Sequence, residues 1–164
     1  MMYSMKLLNK TRELLQACRI AGIKIASAES CTGGLIAGCL SEIPGASDVL
    51  ERGFVCYTNI AKVEQLGVSA EIIHEHGAVS HEVAREMVNG ALRFSQASLA
   101  VSVTGIAGPG GGTLEKPIGL VYIGTALKSN GTTIERYVFN GDRQTVRELS
   151  VEMALDLMLL RLQP

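Results

Sequence analysis

The chain has 164 residues, 47% of them hydrophobic and 19% charged, with a formal net charge of -1 at pH 7. That apolar content excludes an intrinsically disordered chain. The near-neutral charge, 4% aromatic content and absence of Trp leave no bulk drive toward nucleic acid or an anionic membrane, and no stacking platform for single strands.

Ser4 to Ala21 suits a helix closed by Gly22, and Ile23 to Ser27 alternates as a short strand. The turn Ala28-Glu29-Ser30-Cys31-Thr32-Gly33-Gly34 then leads into an apolar helix from Gly34 to Leu40, which Pro44-Gly45 ends. Phe54 to Thr58 reads as a second strand, with Asn59 capping a helix from Ile60 to Leu66 and a further short helix after Ser69. Ser80 caps a longer helix, His81 to Phe94, and Leu99 to Val103 reads as a buried strand. A glycine-rich loop from Gly105 to Lys116 follows. Ile118 to Leu127 and Thr132 to Phe139 flank the hairpin signal Asn130-Gly131. Gly141-Asp142 opens the last helix, where Val146, Leu149, Met153, Leu157 and Leu160 recur at three- and four-residue spacing as one apolar face. With no internal repeat, charge block or linker, residues 1–164 are expected to form one domain, an α/β layered sandwich on a mixed sheet. The longest uncharged stretch, Phe94 to Leu114, is broken by Ser, Gln and Thr and ends in glycines, so no transmembrane helix is expected. The N-terminus lacks the apolar core of a signal peptide. Cys18, Cys31, Cys39 and Cys56 form no CxxC pair and read as reduced thiols of a cytoplasmic protein.

Glycine supplies 18 of 164 residues, above the roughly 7% average, and gathers in two loops that each follow a strand. In open α/β sheets the carboxyl ends of strands form the ligand crevice, so Ser30 to Gly34 and Thr104 to Gly112 are expected to line one site. The amides of Cys31, Thr32, Gly33 and Gly34, where the chain enters a helix, suit an anion or a developing oxyanion. Gly105, Gly108, Gly110, Gly111 and Gly112 allow a ligand close to the backbone. The P-loop, dinucleotide-binding and GxSxG fingerprints are absent. His74, His76 and His81 lie close together, but no acidic or thiol set is spaced to complete a metal site, and none is expected. Ser30, where a strand ends and a helix begins, is a candidate nucleophile that needs a base. Lys62 after the second strand is the better base, since desolvation lowers a lysine pKa and frees its amine to accept a proton. Tyr57 and Thr104 could relay or orient that proton. The bland alternative makes Ser30 a helix cap and Lys62 a solvated lysine. Cys31 is a rival nucleophile, its thiol favoured by a helix N-terminus. Arg143 and Arg147, four apart, share a helix face that suits a phosphate, or else pair with Asp142 and Glu148.

In these stretches the chain resembles the C-terminal domain of the competence/damage-inducible protein (CinA) family. The resemblance is carried by Ala28 to Gly34, Phe54 to Lys62, Gly77-Ala78-Val79-Ser80, Val101 to Pro109, Lys116-Pro117-Ile118-Gly119 and Gly141-Asp142-Arg143, in that order along nearly the whole chain. The larger N-terminal domain of long family members is not in this sequence, so the stand-alone form is the expectation. The resemblance implies a nicotinamide-nucleotide amidohydrolase. Such an enzyme converts the carboxamide of nicotinamide mononucleotide to nicotinate mononucleotide and ammonia, in pyridine nucleotide recycling, with a serine nucleophile and no metal or cofactor.

The position matching the family serine is Ser30. Lys62 is placed as its base, with Tyr57 and Thr104 supporting and Arg143, Arg147 or the loop amides taking the ribose phosphate. The competing expectation is a non-catalytic nucleotide-binding or competence-associated regulatory module. The expected partner is a small-molecule nucleotide, without nucleic acid or membrane. The exposed hairpin from Ile118 to Phe139 offers an edge strand to a second copy, so the reading leans to a homo-oligomer.

Overall fold

A computed structural model describes residues 3–163. In chain order the elements are α1 (Met5–Ala21), β1 (Ile25–Glu29), α2 (Leu35–Ser41), a 3-10 turn (Ala46–Asp48), β2 (Leu50–Val55), α3 (Asn59–Leu66), α4 (Ala70–His76), α5 (His81–Arg93), β3 (Leu99–Gly105), β4 (Leu120–Leu127), β5 (Gly131–Val138) and α6 (Arg143–Arg161). The strands form one mixed sheet in the order β2-β1-β3-β4-β5. β1 runs parallel to both neighbours, with Ala28 opposite Phe54 and Ser102, while β3, β4 and β5 run antiparallel in turn. The fold is thus the expected α/β sandwich on a mixed sheet with a C-terminal hairpin and helix.

Strand alternation divides the core into two layers. Ile25, Leu99, Val101, Val103, Val121 and Ile123 face α1, α2 and α6. Ala26, Ala28, Ala100 and Ala126 face α3, α4 and α5. The second face is made of small side chains, so the helices there approach closely. A methyl group at Gly124 would sit 3.2 Å from the Ala84 carbonyl of α5, and Ser102 Oγ donates to that same carbonyl at 2.7 Å. Where α5 crosses α3, a methyl on Gly90 would lie 2.1 Å from the Leu66 carbonyl.

Several expected boundaries move. The first strand lies two residues later than read. The second spans Leu50–Val55 instead of Phe54 to Thr58. It is an edge strand, which tolerates Glu51 and Arg52 because much of it faces solvent. It ends early because Thr58, not Asn59, caps α3, its hydroxyl accepting from Ala61 N–H at 3.2 Å. Gly105 belongs to the end of β3. The hairpin loop is three residues wide, with Gly131 at φ +67° resuming the ladder.

The face of α6 also differs. Of the five residues expected inward only Val146 is buried, and Leu160 is exposed. The buried stripe runs Val146, Ser150, Val151, Ala154, Leu155 and Met158. Ser150 can occupy it because its hydroxyl donates to the Val146 carbonyl at 2.7 Å, so no polar atom is stranded. Met153 and Leu157 cover the flank.

The Gly90 crossing fixes how near α3 lies to α5. Gly90→Ala is expected to destabilise the protein by about 2 kcal/mol, since backbone must move to admit one methyl group. A lowered urea midpoint at unchanged m-value checks this.

Candidate active site

The three parallel strands deliver their carboxyl ends to one edge of the sheet. Ser30 N–H donates to the Val103 carbonyl (2.9 Å) and Cys56 N–H to the Glu29 carbonyl (2.8 Å), so the segments after β1, β2 and β3 stay in register past the strands themselves. Alternation then assigns sides. Glu29 points toward α2, and the next residue, Ser30, is free to face α3. There Lys62 and Leu66, four apart, turn inward from one helical face, and Lys62 is only 1% exposed. Lys62 Nζ lies 3.0 Å from Ser30 Oγ and donates to the Cys56 carbonyl at 2.9 Å. Burial pushes the lysine pKa below its ordinary 10.5, and no carboxylate contributes to holding its charge. Lys62 is therefore not the solvated helix residue of the bland alternative, nor merely at a crevice wall. A serine hydroxyl against an amine of lowered pKa is an arrangement that can serve as a nucleophile and its base.

The turn after Ser30 distributes its polar groups in an unexpected way. Glu29, fully buried, accepts from Gly34 N–H (3.0 Å), Ile36 N–H (3.0 Å), Ala37 N–H (2.9 Å) and the Ser27 hydroxyl (3.0 Å). Gly33 N–H donates to the Ser30 carbonyl at 3.1 Å. Gly33 and Gly34 sit at φ +60° and +98°, conformations that favour glycine. Of the four amides expected to receive an oxyanion, those of Gly33 and Gly34 are thus already engaged. Cys31 and Thr32 N–H donate to no acceptor among the described residues. Thr32 is fully buried, with its hydroxyl also unpaired, and Cys31 is buried as well, its amide adjoining Ser30.

The Cys31 thiol faces the α1/α2/α6 core, and burial pushes its pKa up to about 11. The expected lowering does not arise, because α2 starts only at Leu35 and the thiol is desolvated. Glu29 escaped the sequence reading, although an acid closing an apolar strand five residues before a glycine-led helix is a detectable signal.

Other expected site residues gather around this turn without joining the pair. The Thr104 hydroxyl donates to the Ala78 carbonyl at 2.7 Å. The Tyr57 side chain is 56% exposed, and its hydroxyl accepts from Arg143 Nη2 at 2.8 Å, while its carbonyl lies 3.5 Å from Lys62 Nζ. Neither hydroxyl contacts Ser30 or Lys62, so the expected proton relay is not formed here. Arg143 Nη1 also donates to the Gly108 carbonyl at 3.0 Å, which ties the glycine-rich loop to Tyr57. In that loop Gly105 and Gly112 pack against the segment Pro117 to Val121, whereas Gly110 is open. Gly108 and Gly111 take φ +84° and +87°.

Arg147 Nε and Nη2 donate to the carbonyls of Cys31 and Thr32, each at 3.0 Å. The alternative ion pairs do not form. Asp142 caps α6 through Thr145 N–H, and Glu148 accepts from Gln144. Among the described residues no three His, Cys, Asp or Glu side chains group as a metal site. No helix there is long and apolar enough to cross a membrane. A cavity of about 400 Å³ between α1 and α6, lined by Tyr3, Leu7, Leu35, Arg143, Arg147 and Val151 among others, includes neither Ser30 nor Lys62.

Comparison with known proteins matches residues 8–162 to the CinA C-terminal domain model. A relative from Caldicellulosiruptor saccharolyticus, named for competence-damage induction, is 53% identical over 137 residues, covering 84% of this chain and 33% of its own length. A CinA-like protein of Geotalea uraniireducens is 47% identical over 144 residues, 88% of this chain and 34% of its own. The chain thus spans about a third of the length of these curated relatives. Among solved structures, the competence/damage inducible protein CihA of Agrobacterium tumefaciens superposes with a TM-score of 0.94 at 43% identity, covering 98% of this chain and 97% of that one.

The buried lysine has a thermodynamic signature. Between its lowered pKa and 10.5 the unfolded chain holds a proton that the folded chain releases, so this residue's contribution to stability rises with pH across that window. Lys62→Met is expected to stabilise the protein at pH 7 by about 1 kcal/mol, as replacement of a buried ionisable group by apolar volume often does. The gain should shrink as pH approaches 10.5, which urea titrations at several pH values measure.

Proposed function

The chain belongs to the CinA C-terminal domain family, and from that premise we propose that it is a serine amidohydrolase cleaving the carboxamide of nicotinamide mononucleotide. The observation that carries this reading is the 3.0 Å approach of Lys62 Nζ to Ser30 Oγ, with the amine buried and paired with no acid among the described residues.

Neutral Lys62 takes the Ser30 hydroxyl proton as Oγ attacks the carboxamide carbon, and a C–O bond forms. The carbonyl oxygen gains the negative charge, and Cys31 N–H is the donor available to it. One such donor is typically worth about 3 kcal/mol. As the C–N bond breaks, Lys62 passes its proton to the leaving nitrogen and ammonia departs. Water then attacks the acyl-serine, Lys62 takes one of its protons, and Ser30 Oγ recovers a proton as the carboxylate is released. The sum is amide plus water giving acid plus ammonia. Arg143 at the rim, bridging Tyr57 and Gly108, is the cation for the ribose phosphate, and the glycine-rich loop lies against the nucleotide. The high thiol pKa of Cys31 disfavours a thiol enzyme.

Wild-type protein with nicotinamide mononucleotide is expected to release ammonia and nicotinate mononucleotide in equal amounts. Ser30→Ala should lose activity by about a thousandfold or more, while Cys31→Ala should retain much of it. The acid limb of kcat/KM should have its midpoint below 10.5, since the active form carries neutral Lys62, and the limb should vanish in Lys62→Ala. Binding of the nucleotide without turnover by folded wild type would instead make the chain a nucleotide-binding module.

A further inference from the structure

The turn that carries Ser30 is gripped from two sides by groups with no part in the chemistry above. On its amide side Glu29 gathers the N–H groups of Gly34, Ile36 and Ala37. On its carbonyl side the planar fork of Arg147 takes the oxygens of Cys31 and Thr32. Glu29 forms no ion pair among the described residues and is fully buried, so amide dipoles and the Ser27 hydroxyl are what hold its carboxylate. Such a group is costly to desolvate, and its return here is geometric. Glu29 and Arg147 leave Cys31 N–H, which donates to no other residue among those described, beside the nucleophile.

We infer that Glu29 and Arg147 are positioning residues, a carboxylate–guanidinium clamp that fixes Ser30 Oγ and Cys31 N–H relative to Lys62. This rests on the serine–lysine reading above. It gives Arg147 a task other than phosphate recognition, on the turn itself, and leaves that recognition to Arg143, which meets the glycine-rich loop at Gly108 and the exposed Tyr57. Lysine cannot replace Arg147 in the clamp, since a point charge does not address two successive carbonyls in a fixed plane. Glutamine cannot replace Glu29 well, since its amide nitrogen would face a backbone N–H donor.

The test compares wild type, Arg147→Lys and Glu29→Gln as full chains with two readouts. One is kcat and KM for nicotinamide mononucleotide. The other is the rate at which a fluorophosphonate labels Ser30, which requires nucleophile and oxyanion donor but no nucleotide phosphate. For Arg147→Lys the clamp predicts kcat lowered by about 100-fold, KM within about threefold of wild type, and labelling slowed to match. A raised KM with kcat and labelling unchanged would make Arg147 a phosphate ligand and overturn the inference. Glu29→Gln should show the same split at unchanged circular dichroism. If Glu29→Gln does not fold, Arg147→Lys decides alone. Labelling of Ser30 without hydrolysis of the nucleotide would defeat the substrate reading while the labelling rates still judged the clamp. A wild-type Ser30 inert to the probe would overturn both.

Discussion

A single strand separates a buried base from a buried acid, and the chemistry of the site depends on that separation. Glu29 ends β1 facing α2, and Ser30, one residue on, meets Lys62 from α3. Had the carboxylate and the ammonium shared a face, they would have formed an ion pair, and the carboxylate would have held the lysine pKa up. Instead the carboxylate is neutralised by helix amides and the amine by the carbonyl of Cys56 and a hydroxyl. The two-residue period of a β-strand is what enforces this, because consecutive residues cannot point the same way.

The small-residue face of the sheet serves the same end. Alanines on β1, β3 and β4, with Gly124 and the Gly90 crossing, let α5 and α3 pack close. That closeness excludes water from Lys62, and exclusion of water is what lowers its pKa. The close packing of small residues thus contributes to the burial that lowers the lysine pKa.

Much of the fold was readable from sequence where local rules and burial agree. The Ser4 cap and Gly22 close of α1, the hairpin at Gly131 and the order of strands and helices all follow from capping, turn chemistry and apolar runs. The failures have physical causes. The edge strand β2 carries Glu51 and Arg52 and lacks alternation because both its faces are partly open. The stripe of α6 includes a serine that satisfies itself within the helix. Within the site, Ser30 and Lys62 were marked by following strands, but their contact spans 32 residues and no spacing rule reports it. Arg147 reads as an anion ligand in the sequence, and the Cys31 and Thr32 carbonyls that it meets in the fold leave no mark there.

The Arg147 bonds also order events during synthesis. They join the last helix to a turn 116 and 115 residues earlier, and α6 lies against α1 through Lys10 with Glu152 and Asp156. Strands β1 and β2, the serine and the lysine emerge from the ribosome well before the helix that secures the turn. Contacts of such long sequence separation form late. A nascent or C-terminally shortened chain would therefore hold the reactive pair without its fastening. The Ser30 turn would come into register only when α6 docks, so docking of that helix is what fastens the reactive pair.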